Sequence, residues 1–201
     1  MNRFGLCGAL SSAIATLALM LAACASGPPP AYYRLGDEAV AAPARSAATP
    51  EVIAVAAVSV PERVDRVQIV VEESGRRDIV TSSHRWSGPL GVQVERMLVR
   101  RLQVARPAAW IETERGGPAP PAAMRAMLVI DEFAGHLGGE VVVSARWEVR
   151  DLRHDHLRLG DITVRTNTAG PGYDALVAAF ADAVRQVCDA VAAEIGQLPP
   201  E

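Results

Sequence analysis

Four residues, Leu21-Ala22-Ala23-Cys24, divide this 201-residue chain into two parts of different physical character. Ahead of them, Met1-Asn2-Arg3 is a brief positive start, and residues 4–20 are almost wholly apolar and small. That run is shorter than the ~20 residues a comfortable membrane span needs. Two small side chains before a cysteine, with an aliphatic one before them, suit a peptidase that cuts beside a diacylated cysteine. The reading is a lipoprotein signal peptide over residues 1–23, with Cys24 lipidated as the new N-terminus. Such a segment is set aside before fold reasoning. An ordinary cleaved signal, or an anchor helix in which Cys24 is incidental, would use the same hydrophobic run.

Residues 24–31 read as the lipidated cysteine and a tether, because Ala25-Ser26-Gly27-Pro28-Pro29-Pro30 suits neither helix nor sheet interior. Residues 32–198 then form a single domain of ordinary size. Position 25 is Ala rather than the Asp that favours inner-membrane retention in enterobacterial-type sorting. The expected location is therefore the periplasmic face of the outer membrane. With Cys7 in the signal and Cys24 lipidated, Cys188 is left without a disulfide partner, on the apolar face of an expected helix, as a buried and inert thiol. All 20 basic residues are Arg, and they are interspersed with 23 acidic ones. No basic patch argues for a nucleic acid partner.

Along the domain, Tyr32-Tyr33-Arg34-Leu35 suggests a short strand. Residues 36–50 suggest an Ala/Pro-rich surface loop. The nearly continuous apolar run 51–60, rich in β-branched residues and stopped by Pro61, fits a strand buried on both faces. Residues 66–72 and 77–83 flank Ser74-Gly75 as a hairpin. Leu90, Val94, Met97, Leu98 and Leu102 recur at helical spacing. Gln93, Glu95, Arg96, Arg100 and Arg101 fall mostly opposite, so 90–105 is an amphipathic helix. Its entry is Ser87 or Gly88 as cap, with Pro89 in the first turn. Residues 108–112 suit an edge strand, and 116–121 a Gly/Pro loop. Residues 127–133, 140–151 and 157–166 alternate as strands, the last two joined by a His154-Asp155-His156 hairpin tip. In 140–151, Val141, Val143, Ala145, Trp147 and Val149 share one face. A long helix runs from Tyr173 to about residue 196, with a stripe of Leu176, Phe180, Ala183, Val184, Val187, Cys188, Val191 and Ile195. The fold class is α+β, a mainly antiparallel sheet of about five to seven strands with two helices packed on one face.

Site chemistry is sparse. There is no phosphate-binding loop, zinc helix or nucleophile elbow. His154-Asp155-His156 lacks a third convergent metal ligand and reads as a polar turn. His84, beside Trp86, has no evident nucleophile or carboxylate partner, so a packed or surface histidine is the simpler account. Asp131 and Glu132, as strand neighbours, are expected on opposite faces and so do not form a catalytic dyad. Phe133 and Trp147 are expected in the core. The residues call for no enzyme activity and no cofactor.

The order of the lipobox, Tyr32-Tyr33-Arg34-Leu35, Pro61-Glu62-Arg63-Val64-Asp65-Arg66-Val67-Gln68-Ile69-Val70 and His84-Arg85-Trp86-Ser87-Gly88-Pro89-Leu90 resembles the ABC-type transport auxiliary lipoproteins, the PqiC-like group of membrane integrity-associated transporter subunits. The likeness continues through Phe133, the strand reaching Trp147 and Tyr173-Asp174-Ala175-Leu176-Val177. Val64 stands where the family often has Leu or a Tyr-Leu pair. The resemblance implies a lipid-anchored periplasmic accessory subunit of an MCE-type system moving phospholipids or other hydrophobic molecules between inner and outer membrane. Its partners would be an MCE-domain periplasm-bridging protein with its ABC permease and ATPase, the membrane through the lipid anchor, and in some arrangements further copies of itself as a homo-oligomer. The family carries over no catalytic residues. A stand-alone envelope lipoprotein binding a small hydrophobic ligand or peptidoglycan is the other reading, and it requires a concave pocket. The segment 62–68 with Arg85 and Trp86 is the candidate interface, because charges beside a Pro at a strand junction serve no core. Arg and Trp are also enriched at binding hot spots. Arg63, Asp65, Arg66, Arg85 and Trp86 are its named residues; the alternative is that Trp86 packs under the Leu90 helix and that Arg63 and Arg66 are simply solvated.

Overall fold

The structure, a computed structural model, describes residues 29–36, 51–116 and 121–198. The signal segment, Cys24, most of the tether and the Ala/Pro-rich loop lie outside them. The unit beginning at Ala31 carries the fold.

Eight strands and two long helices follow in chain order: β1 (Ala31–Tyr33), β2 (Val52–Val55), β3 (Gln68–Ser74), β4 (Arg77–Trp86), α1 (Leu90–Ala105), β5 (Trp110–Thr113), β6 (Met124–Gly135), β7 (Glu140–Asp151), β8 (His156–Asn167) and α2 (Tyr173–Gln197). They make two sheets, ordered β1-β4-β3 and β5-β2-β6-β7-β8. The α+β class holds, but the expected single, mainly antiparallel sheet does not. β1 runs parallel to β4, and β2 runs parallel to both β5 and β6. Only β3–β4, β6–β7 and β7–β8 are antiparallel. The three antiparallel pairs are all joined by short turns, whereas each parallel pair brings together strands remote in sequence.

β2 explains its own continuous apolar run. Flanked by a strand on each side, it exposes Ile53 and Val55 not at all. The run ends earlier than expected, at Val55. Beyond it the Ala56 N–H donates to the Ala126 carbonyl at 2.9 Å, and Ser59 bridges to Val129 of β6. β7 matches its expected bounds, and Val141, Val143, Ala145 and Val149 are buried as the alternation requires. Trp147 shares that face but is only half-buried against the core. Its indole lies across Gly160 of β8, where an added Cβ would come within 2.3 Å of the ring, so only glycine leaves it room.

The α2 stripe is fully buried, and the helix packs on β7, β8 and α1. Burial pushes the Cys188 thiol pKa well up, so no thiolate forms near neutral pH. α1 begins at Leu90 with Pro89 itself in the cap position and no side-chain cap bond, in place of the expected Ser87 or Gly88. Gln93 and Glu95, read as solvent-facing, are buried instead. Gln93 bonds neighbouring backbone, and Glu95 meets Arg115 at 2.9 Å. Gly91 lets the helix approach β2's exit closely, since a Cβ there would sit 2.7 Å from the Val58 carbonyl oxygen. Asp131 and Glu132 do not face opposite sides. A register shift between Ile130 and Glu132 leaves both exposed, the usual effect of a bulge.

One buried polar knot closes the end of the molecule where β2 begins. Arg106, just past α1, donates from Nη2 to the carbonyl oxygens of Ile195 (2.8 Å) and Leu198 at the C-terminal end of α2, where the Ile195 carbonyl also accepts from the Leu198 N–H at 3.2 Å. Its Nη1 lies 3.7 Å from Glu51, whose other oxygen accepts from Arg153 at 3.1 Å.

Candidate functional site

The 61–66 segment is a compact turn built on its own backbone. The amides of Val64 and Asp65 donate to the Pro61 carbonyl at 3.0 and 3.1 Å, and Arg66 donates to Val64 at 2.8 Å. Val64 is 3 % exposed and pins the turn into the core, while Glu62, Arg63, Asp65 and Arg66 stay exposed. That alternation of one apolar plug among charges is why the motif sits at a strand junction. Arg63 is a fastening residue. Its Nη1 reaches Asp78 at 3.1 Å, and its Nη2 donates to the Phe133 carbonyl at 3.2 Å, tying the turn to β4 and β6.

The β3–β4 register pairs Gln68 with Arg85, and the Trp86 N–H donates to the carbonyl of the half-exposed Val67 at 2.7 Å, so the turn carrying Asp65 and Arg66 enters β3 beside Arg85. Arg85 is half-buried, with Nη2 3.5 Å from the Ser82 carbonyl and Nε buried without a hydrogen bond. Trp86 departs from the expectation for this surface. It is 3 % exposed and meets Phe133 and Phe180 edge-on, at centroid distances of 6.2 and 6.3 Å. Its strand alternates, so Arg85 faces out and Trp86 faces in. The candidate surface is therefore Asp65, Arg66, Val67 and Arg85, braced by Arg63 and backed by Trp86.

His84 is a packed residue. Its Nδ1 is 2.9 Å from the Tyr33 hydroxyl, and its ring stacks on Tyr173 at 3.7 Å. Burial, with Asp174 nearby, raises the Tyr33 phenol pKa, and burial raises that of Tyr173. The cluster joins β1, β4 and the start of α2.

At the β7–β8 tip, Asp151 is 1 % exposed. Burial alone would raise its pKa. The His154 ring nitrogen at 2.8 Å, with the backbone amides of Arg153 (2.9 Å) and His154 (3.2 Å), outweighs that and holds the carboxyl at about 2. The histidine is thus committed to a turn, which Asp155 completes at φ 53°. Among the described residues no group of three His, Cys, Asp or Glu is arranged to hold a metal. A depressed folded pKa contributes stability above the unfolded value near 3.9, and that stability is lost as pH falls from about 4 toward 2. Asp151→Asn should therefore lower neutral-pH stability by roughly 1–3 kcal/mol and flatten the acid limb of the curve. Urea titrations at stepped pH measure both; an unchanged acid limb would refute the assignment.

Two residues that matter here are not evident from the sequence. Arg106 precedes Pro107 like any helix-ending arginine, and its partner carbonyls lie about ninety residues on. Gln93 links the Leu35 amide and the Gly88 carbonyl, both at 2.9 Å. Its signal was a polar residue directly beside the apolar stripe position Val94.

Residues 33–192 match the family model described as ABC-type transport auxiliary lipoprotein component. The chain is 26% identical over 186 residues to the intermembrane transport lipoprotein PqiC of Escherichia coli (strain K12), covering 90% of this chain and 95% of that one. The Shigella flexneri protein of the same name matches equally. Among solved structures, that of an uncharacterized protein aligns with a TM-score of 0.68 at 20% identity, over 83% of this chain and 99% of that one. A protein from Xanthomonas campestris aligns at 0.62 and 16% identity, over 83% and 92%. These two support the fold.

Proposed function

This chain belongs to the ABC-type transport auxiliary lipoprotein family, and from that premise we propose that it serves an MCE-type intermembrane system as its lipid-anchored docking subunit. The observation that carries the reading is the extent of the match, which runs from Tyr33, the last residue of β1, to well inside α2 and so takes in β2 to β8 and α1. The curated relatives add the sense of intermembrane transport, at modest identity over nearly their full length. On this reading Cys24 carries the lipid at the periplasmic face of the outer membrane. The domain holds the outer-membrane end of an MCE-domain bridge whose inner end is an ABC permease and ATPase. The cargo is phospholipid or another hydrophobic molecule, and further copies of the chain can join it as a homo-oligomer.

The docking contact falls on Asp65, Arg66, Val67 and Arg85. Arg63 is unsuitable as a probe, because its bonds to Asp78 and Phe133 hold the turn. Asp65→Arg with Arg66→Glu reverses two exposed charges and leaves Val64 in place. Pull-down of the MCE-type partner from detergent extract should fall at least tenfold, with the circular dichroism spectrum unchanged; a loss of two hot-spot contacts is of that size or larger. If the folded double variant keeps both partner binding and its light-scattering mass, the segment is not the interface. The search then moves to Arg146 and Glu148 on the open face of β7. In the same extracts Cys24→Ser should lose metabolic labelling by a palmitate analogue and leave the membrane fraction. Stable anchoring takes more than one acyl chain, so label persisting on the variant would sink the anchor assignment without touching the docking test.

A further inference from the structure

A cavity of about 460 Å³ opens between Arg34–Gly36, the Ser87-Gly88 turn and α1. Among the described residues its lining includes Arg34, Arg96 and Arg100 and no carboxylate. Arg96 and Arg100 stand one turn apart on α1, where like charges repel. Neither has an ion pair or hydrogen bond with a described residue, whereas the adjacent Arg101 is held by Asp189. The walls are fixed by Gln93, whose buried amide accepts from the Leu35 N–H and donates to the Gly88 carbonyl. Leu35 and Val99 supply apolar surface beside the guanidinium groups.

A second cavity, of about 270 Å³, continues from the first across Gly36 and Arg100 into the cleft between α1 and α2. Met97, Ala178 and Ala181 line it. Of the charges on its rim, Arg101 pairs with Asp189 and Arg185 with Asp182. Arg100 is left at the junction, with polar space on one side and apolar space on the other.

Guanidinium forks match phosphate oxygens in a bidentate way that a single ammonium cannot. Two of them on one helix face, in a cavity with no carboxylate among its described lining residues, favour a phosphate. The adjoining trough favours a hydrocarbon chain on the same molecule. We propose that the paired cavities bind a phosphate-ester amphiphile, with its head between Arg96 and Arg100 and its chain along Met97, Ala178 and Ala181. The site shares no lining residue with the 61–66 turn and stands independently of the docking assignment.

The test titrates the full chain in dodecylmaltoside by calorimetry. The ligands are dihexanoylphosphatidic acid below its micellar concentration, glycerol 3-phosphate and inorganic phosphate. The lipid should bind saturably at one per chain and at least tenfold more tightly than either soluble phosphate. Arg96→Gln with Arg100→Gln should weaken it at least tenfold, and the surface control Arg165→Gln should not. Ala178→Trp, which fills the trough, should weaken the lipid and leave the soluble phosphates unchanged. Should the glutamine pair fail to fold, Arg96→Lys with Arg100→Lys keeps the charge and loses the forks, and it should weaken the lipid severalfold. Soluble phosphates that bind as tightly as the lipid, and are lost in the arginine variants, would keep the head site and overturn the trough. Absence of saturable binding, or wild-type affinity in folded arginine variants, would overturn the site altogether.

Discussion

Phe180→Ala should destabilise the domain by about 3–5 kcal/mol, the usual cost of emptying an aromatic site that cannot collapse. Phe180 is wholly buried, lies face to face on Phe133 at a centroid distance of 4.1 Å, and meets Trp86 edge-on. These three rings come from α2, β6 and β4 and are the joint between the two sheets and the long helix. Gly135 closes the fourth side, since a Cβ there would be 2.8 Å from the Phe180 ring. With neighbours on every side, relaxation into the cavity would move a strand. A domain of ordinary stability has about 5–15 kcal/mol in all, so the variant should melt roughly 10 °C lower or more. Phe180→Leu, which keeps most of the volume, should lose less than half as much. A melting temperature within 2 °C of wild type for the alanine variant would mean that the three-ring joint is not where the sheets are held.

The second large effect is expected at Arg106. It is 9 % exposed and serves three partners: the Ile195 and Leu198 carbonyls and Glu51. Arg106→Met keeps much of the side-chain volume but takes the guanidinium from both helix-end carbonyls, leaving that of Ile195 with the Leu198 N–H at 3.2 Å, and leaves Glu51 with Arg153 alone. Removing one member of a buried charge network typically costs about 3–5 kcal/mol, because the charge left behind stays buried. Arg106→Met with Glu51→Gln removes the stranded charge as well, and it should recover part of the loss. Denaturant midpoints of the single and double variants decide this. Equal loss in the two would mean that Arg106 acts only through the α2 carbonyls. No loss in either would remove the knot as a stabilising element.

The contrast between these two sites shows where the sequence is informative. The Phe180 stripe repeats every three or four residues, so a helix with that face buried was legible. β7 was legible to its end residues, because alternation over twelve positions admits one strand register. Pairing between remote strands leaves no such trace. Nothing in Ala31-Tyr32-Tyr33 announces that it will lie parallel to His84-Arg85-Trp86, and a run like 52–55 says only that both its faces are covered. The division into two sheets therefore emerged only with the structure. At the candidate interface, composition identified Asp65 and Arg66 as surface charges. It left Trp86 open between surface and core, because hot-spot enrichment is blind to which way a strand residue points. Arg96 and Arg100 looked like an ordinary solvated helix face; what sets them apart is the wall opposite, supplied in part by Arg34, Leu35 and Gly36, remote in sequence.

The parallel pairing of β1 with β4 has a mechanical consequence. Any tension that reaches the domain from residues ahead of Ala31 enters at the first position of β1 and pulls along the strand. In that geometry the ladder bonds to His84, Arg85 and Trp86 are loaded together in shear, instead of opening one after another like a zipper. The Tyr33 hydroxyl on His84, and the His84 ring on Tyr173, carry the same load across to α2. A three-residue edge strand that would be weak in isolation can in this arrangement act as a strain-bearing clamp, passing force from the chain's N-terminal side to its longest helix.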